Sequence, residues 1–345
     1  MKNALAILIV SGILVFFGSG TAVLAQNSKP VYTLERTISL PGNGGYDYLY
    51  VDPVTRHLFV THGSTVNVIN LKSGKFIGSV TGLGEDHGVA IDNSLNRGFV
   101  SDSRQRALVA FNSQTLKTIK TIHLKGEDED ATILDPTSGK VFVFEGDSKQ
   151  AEVVDPKTLK EVDIIPLGAK PEFAVSDGHG HIYNNLESSS QIAVIDVHSM
   201  KVVKKYSLGP CHGPSALALD NTHHRLFTGC RANKGLTVVN ADNGDVIQTL
   251  PIGAGVDADR YDPETHLIFV SCFDGTTTII KEESPDKYKV VQVLKTHMGA
   301  RTMALDPQTH NIYLSSADFE KTNTGYHHRM VPDSYKVLVY KLNNN

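Results

Sequence analysis

The chain has 345 residues, with 37 Asp and Glu against 33 Lys and Arg and a formal net charge of −4. Such a mildly acidic, mixed-sign surface offers no field for nucleic acid or an anionic membrane, and neither partner is expected. Trp is absent and only 7% of residues are aromatic, which argues against base-stacking and sugar-stacking platforms.

The first element in chain order is a leader. Lys2 is a short positive region, Ala4–Phe17 is an apolar run, and Val23-Leu24-Ala25 is a small-residue cleavage site. This is the pattern of a secretory signal peptide over residues 1–25. The run is short for a membrane span and is interrupted by Ser11, Gly12, Gly18 and Gly20. No Cys follows the site, so a lipoprotein is not expected. The expectation is an exported protein, periplasmic or extracellular, with one domain over residues 26–345 and no membrane span after cleavage. Loss of Lys2 takes its formal charge from −4 to −5.

The remainder repeats. Asp52-Pro53-Val54-Thr55-Arg56-His57-Leu58-Phe59-Val60 recurs as Asp262-Pro263-Glu264-Thr265-His266-Leu267-Ile268-Phe269-Val270. Shorter copies begin at Asp135, Asp220 and Asp306, and weaker ones at Asp92 and Asp177. The spacings between these anchors are 40, 43, 42, 43, 42 and 44 residues. Each copy is a turn followed by a strand: Asp accepts from backbone N–H groups two residues on, and a following Pro presets φ. A small-residue strand precedes each anchor, as in Ser215-Ala216-Leu217-Ala218-Leu219. A third strand ends on an acid or amide, as in Ile192-Ala193-Val194-Ile195-Asp196. A fourth completes the unit, as in Val246–Leu250. Four short strands per unit without helical periodicity describe a propeller blade, so the chain is expected to be an all-β, seven-bladed β-propeller.

The last unit lacks a fourth strand, while residues 31–40 read as a strand without a unit. Closure of the ring by 31–40 joining the C-terminal blade is therefore predicted. The same blade carries a long insertion, Asp318–Ser334, with Gly325-Tyr326-His327-His328-Arg329, on a scaffold whose other loops are short.

These repeats resemble the YVTN/YncE-like seven-bladed propeller family. The match rests on Asp262–Val270, Asp306–Leu314 and the strands ending at Asp155 and Asp196, and it extends over essentially all of 31–345. The resemblance implies the fold and leaves the chemistry open, because such propellers include binding proteins, surface proteins and enzyme subunits. The chain departs from the family at the end of the second strand, where the usual Asn is replaced by His62, Asp102, Glu145, Cys230, Cys272 and Ser316. The Trp-Asp signature of WD40 propellers is absent.

The repeat also acts as a ruler. Five residues before each anchor stand Asp47, His87, Asp130, Glu172, Ser215, Asp257 and Arg301. Inner strands all begin on one face, so these residues are expected to form a polar ring at the channel mouth. His62, Asp102 and Glu145 should lie outside the ring, and the nearby loops add Asp86, Glu129, His212 and Arg231. Converging carboxylates must share protons, pair with Arg301 or hold a cation. Asp130, Glu172, Asp257 and His87 are the candidate ligands, for Ca²⁺, Mg²⁺ or Mn²⁺ through their oxygens and Zn²⁺ through the added His.

Three local expectations complete the reading. Cys211 and Cys230 fall on one face of one blade in an exported chain and are expected to pair, leaving Cys272 free. A Cys211/His212/Cys230 metal cluster is the alternative, and no C-x-x-C-H haem motif occurs. Asp259 and Arg260 are expected to form an internal pair, and His223-His224 to be solvated on the opposite face. The function expected is a monomeric exported protein that binds a small ligand, cation or protein partner at the channel mouth. The alternatives are a metal-dependent lactonase- or lyase-like enzyme, although no motif spacing matches those enzymes, and an accessory subunit of a periplasmic redox enzyme.

Overall fold

A computed structural model describes residues 31–320 and 329–343. The leader expected at 1–25, and His327 and His328, lie outside the described residues. Within them, 28 strands form seven four-stranded antiparallel sheets. The one helical element among them is the 3₁₀ turn Glu187–Ser189.

Blade three shows how the sequence builds each unit. Its strands run Glu129–Asp135, Lys140–Glu145, Gln150–Asp155 and Lys160–Pro166, from the axis outward. At the first turn, Asp135 Oδ2 accepts from the Ser138 amide at 2.6 Å and the Ser138 hydroxyl at 2.7 Å. Gly139 closes the turn with a left-handed backbone at φ 62°. The anchor Asp is thus a turn acceptor, as its spacing implies. In blade seven, Asp306 likewise takes the Gln308 amide at 3.1 Å and the Thr309 hydroxyl at 2.6 Å.

The middle strands are almost wholly buried, and the outermost strand alternates toward solvent. The core lies between neighbouring sheets. Phe142, Phe144 and Val153 of blade three pack on Ile182 and Ile195 of blade four. Truncating Phe142, which is fully buried, to Ala removes contacts with both sheets at a cost of about 3–5 kcal/mol.

The ring closes as the repeat register predicts. Tyr32–Ser39 forms the outer strand of blade seven, antiparallel to Lys336–Leu342, with Tyr32 opposite Leu342 and Ser39 opposite Lys336. A bidentate pair spans the seam. Arg56 of blade one donates from Nη1 and Nη2 to the two oxygens of buried Asp306 of blade seven, each at 2.5 Å.

Candidate functional site at the channel mouth

Six inner strands slip register at equivalent places. The slips fall between Tyr46 and Leu49, Asp86 and Val89, Glu129 and Thr132, Pro171 and Ala174, Pro214 and Ala216, and Val256 and Ala258. Asp47, His87, Asp130, Glu172, Ser215 and Asp257 each stand inside the slip. A β-bulge breaks the in-out alternation and re-aims the side chain it carries. The ring thus has a backbone cause in blades one to six: one bulge in each inner strand.

Five of these residues, with Arg301, line a cavity of about 210 Å³ at the channel mouth. Ser215 does not. It is buried, and its hydroxyl donates to the Val256 carbonyl at 2.9 Å. Arg231 stands in its place, and Asp128, Lys170 and Tyr48 complete the lining.

The mouth has two halves. On one side His87 Nδ1 lies 2.8 Å from Asp47 Oδ2 and 3.9 Å from Asp130 Oδ1, while its Nε2 meets the Ser103 hydroxyl at 3.0 Å. Burial opposes the imidazolium, yet the Asp47 hydrogen bond and the Asp130 charge outweigh it and raise the His87 pKa to about 9. Asp130 has no hydrogen-bond donor among the described residues, and burial followed by the Asp47 charge pushes its carboxyl up to about 7. One ligand atom from each of these three residues falls within 4.8 Å of the others, a spacing that suits a cation.

On the other side the charges are paired. Asp257 accepts from Arg231 Nη2 and lies 3.0 Å from Arg301 Nε. Arg231 also reaches Glu187 at 3.0 Å. Lys170 sits 3.6 Å from Glu172 and 3.9 Å from both Asp128 and Glu187. Glu172 is nonetheless pushed up to about 9, by burial first and by Asp130 and Glu187 next. The mouth thus stores protons on acids whose charge it cannot fully compensate.

His62, Asp102 and Glu145 are not brought to this cavity. Each is buried at the end of its second strand. His62 stacks on Tyr335 with centroids 3.7 Å apart. Asp102 accepts the Gly84 amide at 2.7 Å and the Glu85 amide at 3.0 Å. Glu145 accepts from Gln150 at 2.8 Å beside buried Glu129 and Glu152, and burial lifts its carboxyl to about 8. Asp86 is buried as well and accepts the His62 amide at 3.2 Å.

Asp128, Lys170, Glu187 and Tyr48 lie outside the ring position of the repeat. A signal exists for two of them. Seven residues before the anchors stand Gly45, Glu85, Asp128, Lys170, Gly213, Gly255 and Gly299, so charge replaces Gly in three consecutive blades.

Beneath the mouth the channel widens into an apolar chamber of about 390 Å³, with Tyr48 shared between the two. Here the expected Asp259–Arg260 pair does not form. Arg260 turns into the channel, donates to the Asp259 main-chain carbonyl at 2.7 Å and lies 4.8 Å above the Phe173 ring. Asp259 points the other way and forms no ion pair among the described residues. Burial drives its carboxyl well above the usual range, against the pull of Arg260. Alternation explains the outcome: adjacent strand residues face opposite sides.

Cys211 and Cys230 are joined in a disulfide, with Cα atoms 5.3 Å apart, and Cys272 is free and buried. The thiolate cluster with His212 is therefore excluded. The staple fixes the hairpin bearing Arg231, whose amide donates to the Gly213 carbonyl at 2.8 Å. The insertion of blade seven folds back through a bridge between Phe319 and Met330. Both residues, with Tyr46 and Arg301, line a third cavity of about 520 Å³ on the same side of the ring as the mouth. On the opposite face His224 is exposed and bonded to Asp242 at 2.8 Å, but His223 is not simply solvated. It lies 2.7 Å from Asp220 and 3.0 Å from Glu282.

Fold and mouth together define a seven-bladed β-propeller with a charge-dense axial cavity. The sequence matches no protein-family model and no curated protein. Among solved structures the fold is similar to a chain of Kuenenia stuttgartiensis hydrazine synthase, with a TM-score of 0.67 over 80% of this chain and 92% of that one. The two are 16% identical, and the likeness establishes the fold alone. Among the described residues no helix is long and apolar enough to cross a membrane.

Proposed function

We propose that this is an exported binding protein of the YVTN/YncE-like kind, whose channel mouth takes a divalent cation, and through it a small anionic ligand. The observation that carries this reading is the convergence of Asp47, His87 and Asp130 within 4.8 Å at the mouth. Asp130 and Asp47 supply hard oxygens and His87 a nitrogen, a set that suits Mn²⁺ or Zn²⁺. Binding displaces the protons that burial and crowding now hold there, so affinity rises with pH. Lys170, Arg231 and Arg301 then face the ligand's negative charge across the cavity. The Cys211–Cys230 bond supports passage through an oxidising compartment.

Titration calorimetry with Mn²⁺ on the chelator-treated protein tests this. A Mn²⁺ site weakened at least tenfold in Asp130→Asn is the expected result. Unchanged uptake in Asp130→Asn sinks the assignment. A catalytic reading draws on Glu172 and His87 lining one cavity with their pKa values both pushed up to about 9. These are the properties of general acids for a hydrolase or lyase.

A further inference from the structure

Two departures from the repeat meet on the face opposite the mouth. Three residues after the anchor, blades one, six and seven place Thr55, Thr265 and Thr309, and blade three places Ser138. Each of these hydroxyls donates to its own anchor Asp. Blade five has His223 there, with Nδ1 2.7 Å from Asp220 Oδ2.

The second departure lies in blade six. In several blades a residue at or just past the end of the third strand returns its amide to the carbonyl that ends the first turn. Leu71, Ser113, Val197 and Ala241 do this, and in blade six Glu282 does, donating to the His266 carbonyl at 3.0 Å. An acid therefore occupies a position held elsewhere by apolar or small side chains. Glu282 is 4% exposed, and its Oε1 has no hydrogen-bond partner yet lies 3.0 Å from His223 Nδ1. Its other oxygen accepts from the Tyr261 hydroxyl at 2.5 Å and lies 3.4 Å from His266 Nδ1.

One imidazole nitrogen can offer one hydrogen to two carboxylates, so this geometry leaves an oxygen over. A metal ion resolves it. We propose that Asp220, His223 and Glu282 form a second divalent-cation site, of the Zn²⁺ class, that bridges blades five and six. An ion with bonds of about 2.0–2.1 Å in tetrahedral geometry holds its ligand atoms roughly 3.4 Å apart. The observed 2.7 and 3.0 Å reach that with about 0.4–0.7 Å of outward motion. Tyr261 orients Glu282 as an outer-shell donor. His223 is part-exposed and provides the entry path, and water takes the fourth position. His266, whose ring stacks 6.4 Å from that of His223, flanks the opening. A carboxylate–imidazole set favours a transition metal over Ca²⁺.

The test uses the full chain with the mouth disabled by Asp47→Asn and Asp130→Asn, so that failure of this site and failure of the mouth are told apart. Zn²⁺ is titrated calorimetrically into the chelator-treated protein, and Co²⁺ substitution is read by visible absorption. One ion per chain with tetrahedral Co²⁺ bands is expected. Adding His223→Thr or Glu282→Ala should weaken binding at least tenfold. Both changes restore residues that other blades use, so folding is retained and is checked by circular dichroism. No Zn²⁺ uptake by the mouth-disabled protein, or uptake that neither change alters, overturns the proposal.

Discussion

Asp128 and Gly255 hold the same place in their blades, seven residues before the anchor Asp, and the same left-handed backbone, at φ 67° and 75°. Gly adopts that conformation without cost, whereas Asp adopts it at some strain. Strain of this kind persists where function needs the side chain. Asp128→Gly is therefore expected to stabilise the fold by about 1 kcal/mol while weakening Mn²⁺ binding at the mouth. Thermal melts and calorimetry read the two effects separately, and a fall in stability would show that Asp128 is framework.

Acidity at the mouth predicts the pH dependence of stability. Asp130 and Glu172 titrate higher in the fold, at about 7 and about 9, than as free carboxyls. His87 is likewise raised, to about 9. The folded state binds more protons, so this contribution is full below pH 4 for the acids and is lost as pH rises through 7 to 9. The melting temperature should fall by on the order of 5 °C between pH 5 and pH 9. Glu172→Gln should flatten that slope, and Mn²⁺ should offset it most at the alkaline end. An unchanged slope in the variant removes Glu172 from the account.

Arg231 neutralises Glu172, Glu187 and Asp257 across the mouth. Its removal exposes a cation to more negative charge. Arg231→Gln is expected to raise Mn²⁺ affinity by about tenfold. Cys211→Ser/Cys230→Ser should shift affinity the same way by less, because it frees the hairpin without deleting the charge. It should also cost about 3 kcal/mol of stability. Opposite signs for the two variants would break the link between staple and site.

The closing strand gives the largest predicted effect on stability. Removing residues 31–40 strips the outer strand from blade seven and deletes the contact of Tyr32 with Phe269, whose ring centroids lie 5.1 Å apart. A fall in melting temperature above about 10 °C is expected. A truncated protein that melts with the full domain would show the strand to be dispensable.

The fold was legible because repetition multiplies a weak local signal. One Asp-Pro turn is common, but seven anchors at a nearly constant period define blades. The ring was legible for the same reason, since a bulge at equivalent positions aims equivalent residues. What stayed hidden lies off the period. Arg260 reaches the channel because alternation parts it from Asp259. Glu282 meets His223 across a blade boundary, where neither local strand pattern records the other. His62, Asp102 and Glu145 have the composition of ligands, but His62 is stacked on Tyr335, loop amides hold Asp102 and the Gln150 side chain holds Glu145.

The pairing of Tyr32 with Leu342 also sets an order of events in time. Six blades can assemble from contiguous chain as it emerges, each resting on the one before. The seventh cannot, because its outer strand precedes blade one and that strand's partner follows blade six. Until Lys336–Leu342 emerges, the earlier strand must wait unpaired and the mouth stays an arc, its seam pair Arg56–Asp306 unmade. Closure of the mouth is thus coupled to synthesis of Lys336–Leu342, and a chain without that strand presents a break in the ring.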